Sequence, residues 1–172
     1  MKQHTGMRPH DLIILCAVVL QKNDDWFMKD LAHQLNLSQS EISESLHRSM
    51  QVGLIDPEKR LVQKLNLMEF LQHGLKYIFP AIPGTLDRGV PTAVSAEPLA
   101  DKLNSSYEYI WPVAGGELNG VSITPLYAKL PKACLEWKAL YRVAALIDTL
   151  RLNQNAREIE IAIELLKREL NV

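Results

Sequence analysis

The chain has 172 residues, of which 47% are hydrophobic and 23% are charged. This length and composition suit one domain, or a small domain with an extension, and they exclude a chain that is disordered throughout. The net charge of −1 and the isoelectric point of about 6.5 exclude a protein that coats nucleic acid by bulk positive charge, so any DNA contact needs a local patch.

Cysteine usage and hydropathy indicate the cellular compartment. Cys16 and Cys134 are the only cysteines, they lack a Cys-x-x-Cys spacing, and we expect them to be reduced and buried. The longest apolar run, Leu12 to Leu20, is too short to span a bilayer. Because no small-residue cleavage site follows this run, it does not have the layout of a signal peptide. We therefore expect a cytoplasmic protein without a membrane partner.

The first predicted helix runs from Pro9 to Lys22. Proline favours the first turn of a helix, and Leu12 and Cys16 begin an apolar face. The helix is apolar on most sides, so we expect it in a core or at a dimer contact. The Asn23-Asp24-Asp25 segment should end it and cap the next helix.

Residues 27–55 predict a helix, a tight turn and a second helix. The two apolar stripes consist of Leu31, Ala32 and Leu35, and of Ile42, Leu46 and Met50. Ser38 and Glu41 have the Ser-x-x-Glu spacing of a capping box, which begins the second helix. Gly53 should end it, before an extended segment.

The outer face of the second helix is polar. It carries Gln39, Ser40, Ser43, Glu44, His47 and Arg48. A short capped helix whose outer face donates and accepts hydrogen bonds suits insertion into the major groove of DNA. There, Arg48 would bind a guanine or a phosphate, and His47 would make binding mildly sensitive to pH. The alternative is a helical hairpin that only packs or that contacts protein.

Residues 54–65 predict a small β-wing. Two short extended arms flank Asp56-Pro57-Glu58-Lys59, a sequence that favours a turn. Lys59 and Arg60 at the tip, with Lys64 beyond, would meet phosphates, which give affinity and register without sequence information. The alternative is a solvated hairpin tip.

The charge balance weakens the DNA interpretation. Residues 1–65 hold eight Lys or Arg and eight Asp or Glu, so this part is neutral. Glu44 would repel phosphate unless it accepts from a cytosine amine or pairs with Arg48 one turn later. We therefore expect modest affinity for a single domain, which a dimer reading two half-sites would offset.

These features resemble the helix-turn-helix of MarR-type winged-helix regulators. The matching residues are Leu31-Ala32, Leu35, Leu37-Ser38, Ser40, Ile42, Ser43, Leu46, Arg48 and Gly53-Leu54-Ile55. The resemblance implies a winged helix-turn-helix domain over residues 1–65. Its expected DNA-binding residues are Ser38, Gln39, Ser40, Ser43, Glu44, His47, Arg48, Lys59, Arg60 and Lys64.

Residues 66–131 predict one helix and then an ordered, mostly irregular connection with a few short strands. Helical spacing runs from Asn66 to Ile78, where Gly74 weakens the helix and Pro80 stops it. The stretch from Phe79 to Pro131 holds seven of the nine prolines and five of the eight glycines. It also keeps aromatic and aliphatic residues that a disordered segment would lack.

Residues 132–172 predict a helical hairpin, with helices from Lys132 to Arg151 and from Ala156 to Leu170. We expect its apolar stripes, together with the first helix, to pair two chains. Asp148, Arg151, Arg157 and Glu158 crowd the junction of the two helices. They form either a structural ion-pair and capping network or a site for a partner or an anion.

Arg88 is a second candidate for a partner or anion site. It follows Asp87 and lies between two glycines in the connection. If it is exposed, its guanidinium could hold an anion or the carboxylate of a partner. The alternative is structural pairing with Asp87 or Glu97.

The half from Leu71 onward resembles a group of uncharacterised bacterial helix-turn-helix proteins. The landmarks include Gly74, Tyr77-Ile78-Phe79-Pro80, Arg88-Gly89-Val90-Pro91-Thr92-Ala93, Trp111-Pro112, Pro125-Leu126-Tyr127, Ala145-Leu146-Ile147-Asp148 and Ala156-Arg157-Glu158. The two resemblances cover nearly the whole chain and imply a transcription regulator. The chain departs from the group at Asn153, where glycine is expected, but asparagine also tolerates a left-handed turn.

No catalytic motif emerges from the sequence. The phosphate-binding loop, the nucleophile elbow, the zinc-protease motif and the dinucleotide fingerprint are all missing. The five histidines, His4, His10, His33, His47 and His73, have no neighbours at metal-ligand spacing. We expect neither an enzyme nor a bound metal or cofactor.

The expected fold is mainly α with a small β-wing: a winged helix-turn-helix domain, an irregular Gly/Pro-rich connection and a C-terminal helical hairpin. The expected function is a sequence-specific transcription regulator, a homodimer that reads a near-palindromic operator in double-stranded DNA. The alternative is an antitoxin-like interaction component of a two-gene cassette, which binds the product of a neighbouring gene through the connection. A third hypothesis is a ligand-sensing regulator with an aromatic pocket formed by Tyr77, Tyr107, Tyr109, Trp111 and Trp137.

Overall fold

The computed structural model describes residues 6–21 and 25–172, which are mainly helical with a small three-stranded sheet. The helices are α1 (Pro9–Val19), α2 (Met28–Leu35), α3 (Gln39–Gln51), α4 (Lys64–His73), α5 (Leu75–Ile78), α6 (Leu130–Glu136), α7 (Lys138–Leu152) and α8 (Ala156–Glu169). The strands are β1 (Leu86–Pro91), β2 (Tyr109–Pro112) and β3 (Leu118–Ser122). In the described ranges, no helix combines the length and the apolarity needed to cross a bilayer.

Helix α1 lies in the core of the molecule. Residues 11–18 are all buried, and the helix packs against α2, α3 and α7. Its apolar sides are therefore covered within one chain, so the expectation that helix one helps to pair two chains is wrong. The helix ends at Val19, earlier than predicted, and the predicted break at Asn23-Asp24 lies outside the described residues.

Helices α2 and α3 meet in a tight turn. Asn36 ends α2 in the left-handed conformation with φ 54°, and the chain needs only two further residues before α3 begins. Five of the six predicted stripe residues are buried, and Met50 packs against the core at half burial. The stripes predicted from spacing are thus confirmed.

Residues 54–63 form a short hairpin at the predicted position of the wing. Ile55 and Val62 make one isolated antiparallel bridge, and the amide of Gln63 donates to the carbonyl of Leu54 at 2.9 Å. The Asp56 carboxylate closes the turn by accepting from the amides of Arg60 and Leu61. The predicted wing is therefore a hairpin that contains a single bridge. The three-stranded sheet lies in the Gly/Pro-rich connection instead.

That sheet lies in the Gly/Pro-rich connection and is compact. β1 runs antiparallel to both β2 and β3, and β2 and β3 pair in parallel. The backbones approach so closely that a Cβ added to Gly89 would lie 1.9 Å from the carbonyl oxygen of Trp111. Only glycine fits at this position. The close approach of the two strands thus explains one of the glycines in the segment that was predicted to be mostly irregular.

The C-terminal part differs from the predicted hairpin in one respect. The predicted helix from Lys132 to Arg151 is two helices, because Trp137 takes an extended conformation (φ −133°, ψ 92°) between α6 and α7. Asn153 ends α7 in the left-handed conformation with φ 49°, as predicted. α8 then packs on α7 through Ala162 and Leu166, both of which are fully buried.

Candidate nucleic-acid interface

The start of α3 is fixed by the predicted capping box, which is confirmed. The amide of Glu41 donates to the Ser38 hydroxyl at 3.2 Å, and the amide of Ser38 donates to the Glu41 carboxylate at 2.8 Å. The Ser38 amide and the Ser38 hydroxyl both donate to this carboxylate and lower the pKa of Glu41, because they favour its charged form. The first turn of α3 is therefore held by its own side chains.

The outer face of α3 is exposed and polar. Its exposed residues are Gln39, Ser40, Ser43, Glu44 and His47, all of which were predicted to lie there. The Ser40 hydroxyl reaches the Glu44 carboxylate at 3.5 Å. This face offers mostly uncharged donors and acceptors, the groups that read base edges.

Arg48 does not lie on this face, and the prediction that it contacts DNA is wrong. Its relative exposure is 7%, and its guanidinium points into the molecule. Nε donates to Oδ2 of Asp11 at 2.9 Å, and Nη2 donates to Oδ1 at 2.7 Å. The predicted pairing with Glu44 exists as a looser contact, with Nη1 of Arg48 3.9 Å from that carboxylate.

His10 joins this buried ion pair from the start of α1. Its Nε2 lies 3.3 Å from Nη2 of Arg48 and 3.5 Å from Oδ1 of Asp11. Burial lowers the pKa of His10, Arg48 and Arg8 lower it further, and Asp11 opposes the shift. The neutral imidazole is therefore favoured beside the buried ion pair.

Of the three predicted wing cations, Arg60 and Lys64 make contacts within the molecule. Arg60 stacks on Trp26, with its guanidinium carbon 4.5 Å from the ring centroid, and Nη1 donates to the carbonyl of Trp26 at 2.9 Å. This arrangement ties the wing to the segment before α2 and occupies part of the Arg60 guanidinium. Lys64 begins α4 and reaches the carbonyl of Asn171 at 3.4 Å. Lys59 stays in the turn, half-buried and with φ 58°.

One exposed cation that sequence reasoning missed lies near the start of α3. Lys129, just before α6, contributes to lowering the pKa of Glu41. No local sequence signal could have found Lys129, because only the packing of α6 against α2 brings it there.

Two of the predicted partner or anion residues, Asp148 and Arg151, lie in the interior. The Asp148 carboxylate accepts from the Thr92 hydroxyl (2.8 Å), the Trp111 indole (2.7 Å) and the Arg151 guanidinium (2.6 Å). Burial raises the pKa of Asp148, and these donors, above all Arg151, oppose that rise. Arg151 also donates to the carbonyls of Phe79 and Thr124. The pair is a structural network, so the partner-site interpretation of these two residues is wrong.

Arg157 and Arg88 remain at the surface. Arg157 lies in the first turn of α8, where the Asn155 side chain caps the amides of Arg157 and Glu158. Arg88 lies on β1 and donates from Nε to the Asn119 side chain at 3.1 Å. Its predicted side-chain partners were Asp87 or Glu97, so the structure gives it a different neighbour.

The five aromatic residues of the third hypothesis do not form one pocket. Trp111 and Tyr109 are buried, while Tyr77 and Tyr107 are exposed. Trp137 instead borders separate surface grooves beside α2. That hypothesis therefore lacks the site it needs.

The described part of the chain contains no group of three His, Cys, Asp or Glu side chains that could hold a metal ion. His4 lies outside the described residues. Both cysteines are buried and free, as predicted, and burial raises the pKa of Cys16 to about 12.

No family model, curated protein or solved structure matches the chain.

Proposed function

We propose that this protein is a sequence-specific DNA-binding regulator of the winged-helix type that acts as a dimer. The observation that carries the proposal is the exposed polar face of α3, on a helix capped at its start and anchored by a buried ion pair. Any surface helix has a polar outer face, but here the cap and the buried ion pair also hold that face in a fixed orientation. A recognition helix needs such an orientation, because it has to meet base edges at a fixed angle.

Gln39, Ser43 and His47 are the proposed base-reading residues. They recur every four positions along α3, and all three are exposed. A glutamine amide can bond both edge groups of adenine in the major groove, and serine can pair with any base. Glu44 would accept from a cytosine amine, as the sequence suggests.

The proposed phosphate contacts are Lys59 and Lys129. Arg48 drops out because its guanidinium is buried in the pair with Asp11. Arg60 drops out because its guanidinium stacks on Trp26 and bonds the Trp26 carbonyl. Lys129 lies near the start of α3, so its charge supports an anion at that end. Two phosphate contacts per chain would give a dimer a salt slope of about −4, by the rule of about −0.9 per phosphate.

The test is selection of bound sequences from a random DNA pool, followed by fluorescence anisotropy with the selected sequence. Gln39→Ala together with Ser43→Ala should weaken binding to that sequence by at least about 30-fold, since the two lost base contacts cost about 1–3 kcal/mol each. Binding to random DNA should stay unchanged. Ser106→Ala, at an exposed position in the connection, is the matched control. Failure to enrich any sequence would refute the proposal.

A second candidate function is protein interaction within a two-gene cassette. The burial of Arg48 and the contacts of Arg60 with Trp26 favour it, because they leave the outer surface of residues 6–65 with less positive charge than expected. Arg88 is exposed on β1 and would meet a carboxylate of the partner. Co-purification of a neighbouring gene product, lost on Arg88→Glu but kept in Gln39→Ala with Ser43→Ala, would favour this function over DNA binding.

A further inference from the structure

An apolar groove of about 460 Å³ lies beyond the C-terminal end of α3. It is lined by Gly6, Met7, Val52, Leu54, Phe70 and Ile78. No charged side chain is among these described lining residues. The groove therefore offers nothing to phosphate and suits an apolar protein surface.

Large apolar side chains project beside the groove. Val52 and Ile78 on its wall are 54% and 55% exposed, and Tyr77, next to Ile78, is 75% exposed. Leu65 is 76% exposed, and its neighbour Asn66 donates to the carbonyl of Gly53, next to Val52. We call the groove with Val52, Leu65, Tyr77 and Ile78 the α3-end surface.

We propose that the α3-end surface binds the same surface of a second copy of this chain. A twofold interface requires a self-complementary patch. The α3-end surface meets this requirement because it places a groove beside projecting side chains, so Ile78 of one chain can pack into the groove of the other. This proposal names the dimer contact that the proposed function requires, and it rests on that function for its biological role.

The exposed area agrees with a dimer contact. The four exposed side chains offer on the order of 400 Å² of apolar surface, at ~60–120 Å² per aliphatic and ~200 Å² per aromatic side chain. A standard interface buries about 800 Å² on each partner, a little over half of it apolar. The α3-end surface therefore supplies most of the apolar area for one side.

The position of the surface suits two DNA half-sites. Val52 directly follows α3, whose 13 residues span about 20 Å. If the twofold axis passes near the groove, the two capped ends of α3 point away from each other and can lie up to about 40 Å apart. One turn of DNA, about 34 Å, falls within that reach.

The test is sedimentation of the full chain without DNA, at micromolar concentrations. The variants are Ile78→Asp and, separately, Val52→Asp. Both positions are more than half exposed, so folding should survive, which circular dichroism and thermal melting would verify. Leu86→Asp is the control, because Leu86 is 81% exposed on β1 and does not line the groove. Each variant should raise the dimer dissociation constant about 100-fold, since the symmetry places two charges in the interface centre.

The proposal is supported if the wild type and Leu86→Asp are dimers while Ile78→Asp and Val52→Asp are monomers. A monomeric wild type, or a dimer that survives both folded variants, overturns it. A wild-type monomer that instead captures another protein through Ile78 also overturns it. If the dimer forms through this surface but no DNA sequence is enriched, the dimer proposal stands and the DNA-binding proposal fails.

Discussion

Arg48 on α3 and Asp11 on α1 form a two-pronged ion pair in the interior, with donor–acceptor distances of 2.9 and 2.7 Å. Asp11 also accepts from the amide of Arg8 at 2.8 Å. One carboxylate thus links the start of α1 to the later turns of α3. Because a planar guanidinium in this geometry resists rotation, the pair fixes which face of α3 points outward.

Removing one partner of this pair should be costly. Asp11→Ala leaves the Arg48 charge buried without its carboxylate, so the free energy of unfolding should fall by about 3–5 kcal/mol. Urea denaturation measures this change. Asp101→Ala, at an exposed position, should stay within about 0.5 kcal/mol of the wild type.

A double variant separates the charge effect from the effect of lost volume. Asp11→Leu with Arg48→Met removes both charges and keeps apolar bulk, so it should recover much of the stability lost in Asp11→Ala. A double variant no more stable than Asp11→Ala would show that the cost lies in packing and in the lost cap on the Arg8 amide rather than in the unpaired charge.

His10 should make stability depend on pH. Burial, with help from Arg48 and Arg8, holds the pKa of His10 below its ordinary value of 6.5. The folded chain then binds this proton less readily than the unfolded chain. Stability therefore rises with pH between the folded-state pKa and 6.5 and is level above that value.

The measurement is thermal or urea unfolding between about pH 7 and pH 5. Wild-type stability should fall as the pH falls, and His10→Gln should show a flatter profile. His33→Gln, at an exposed position on α2, is the matched control and should follow the wild type. Parallel profiles for the wild type and His10→Gln would rule out this role of His10.

The capping box of α3 should contribute measurably to stability. Ser38→Ala removes the acceptor for the Glu41 amide and should cost about 1 kcal/mol. Ser40→Ala, two residues on at an exposed position, is the control and should change stability much less. Because Ser38 lowers the pKa of Glu41 below 4.5, the carboxylate's contribution is complete above that pH. It is lost as the pH falls through the lowered pKa, so the difference between wild type and Ser38→Ala should shrink there.

Two lysines should set the salt dependence of DNA binding. Lys59→Ala and Lys129→Ala should each weaken binding to all sequences and reduce the salt slope by about one unit per chain. Fluorescence titrations at several salt concentrations measure the slope. Lys167→Ala, exposed on α8, should leave the slope unchanged. A slope that Lys129→Ala does not alter would remove Lys129 from the interface.

Local signals predicted the local parts of the site. The capping box needs two residues three positions apart, and the stripes of α2 and α3 follow from helical periodicity, so both could be predicted. The orientation of Arg48 could not, because its partner Asp11 lies 37 residues away. Helical spacing alone placed Arg48 on the polar face. The ion pair with the buried Asp11 carboxylate instead turns its side chain inward.

The break at Trp137 escaped prediction for a different reason. Apolar positions continue at helical spacing from Ala133 through Trp137 to Leu140, so periodicity gives no sign of an interruption. The sheet was predicted only as a few short strands, since the close approach at Gly89 depends on a strand more than 20 residues away.

The Asp148–Arg151 pair has a consequence for how the chain can be divided. One turn of α7 supplies the hydrogen-bond partners of five groups in the connection. These are the Thr92 hydroxyl, the Trp111 indole, the carbonyls of Phe79 and Thr124, and the amide of Ala81. A fragment that stops before α7 leaves all five groups without these hydrogen-bond partners. The connection should therefore not fold as an independent module. Residues 79–131 and α7 should therefore unfold as one cooperative unit, although the sequence shows a sharp change of composition between them.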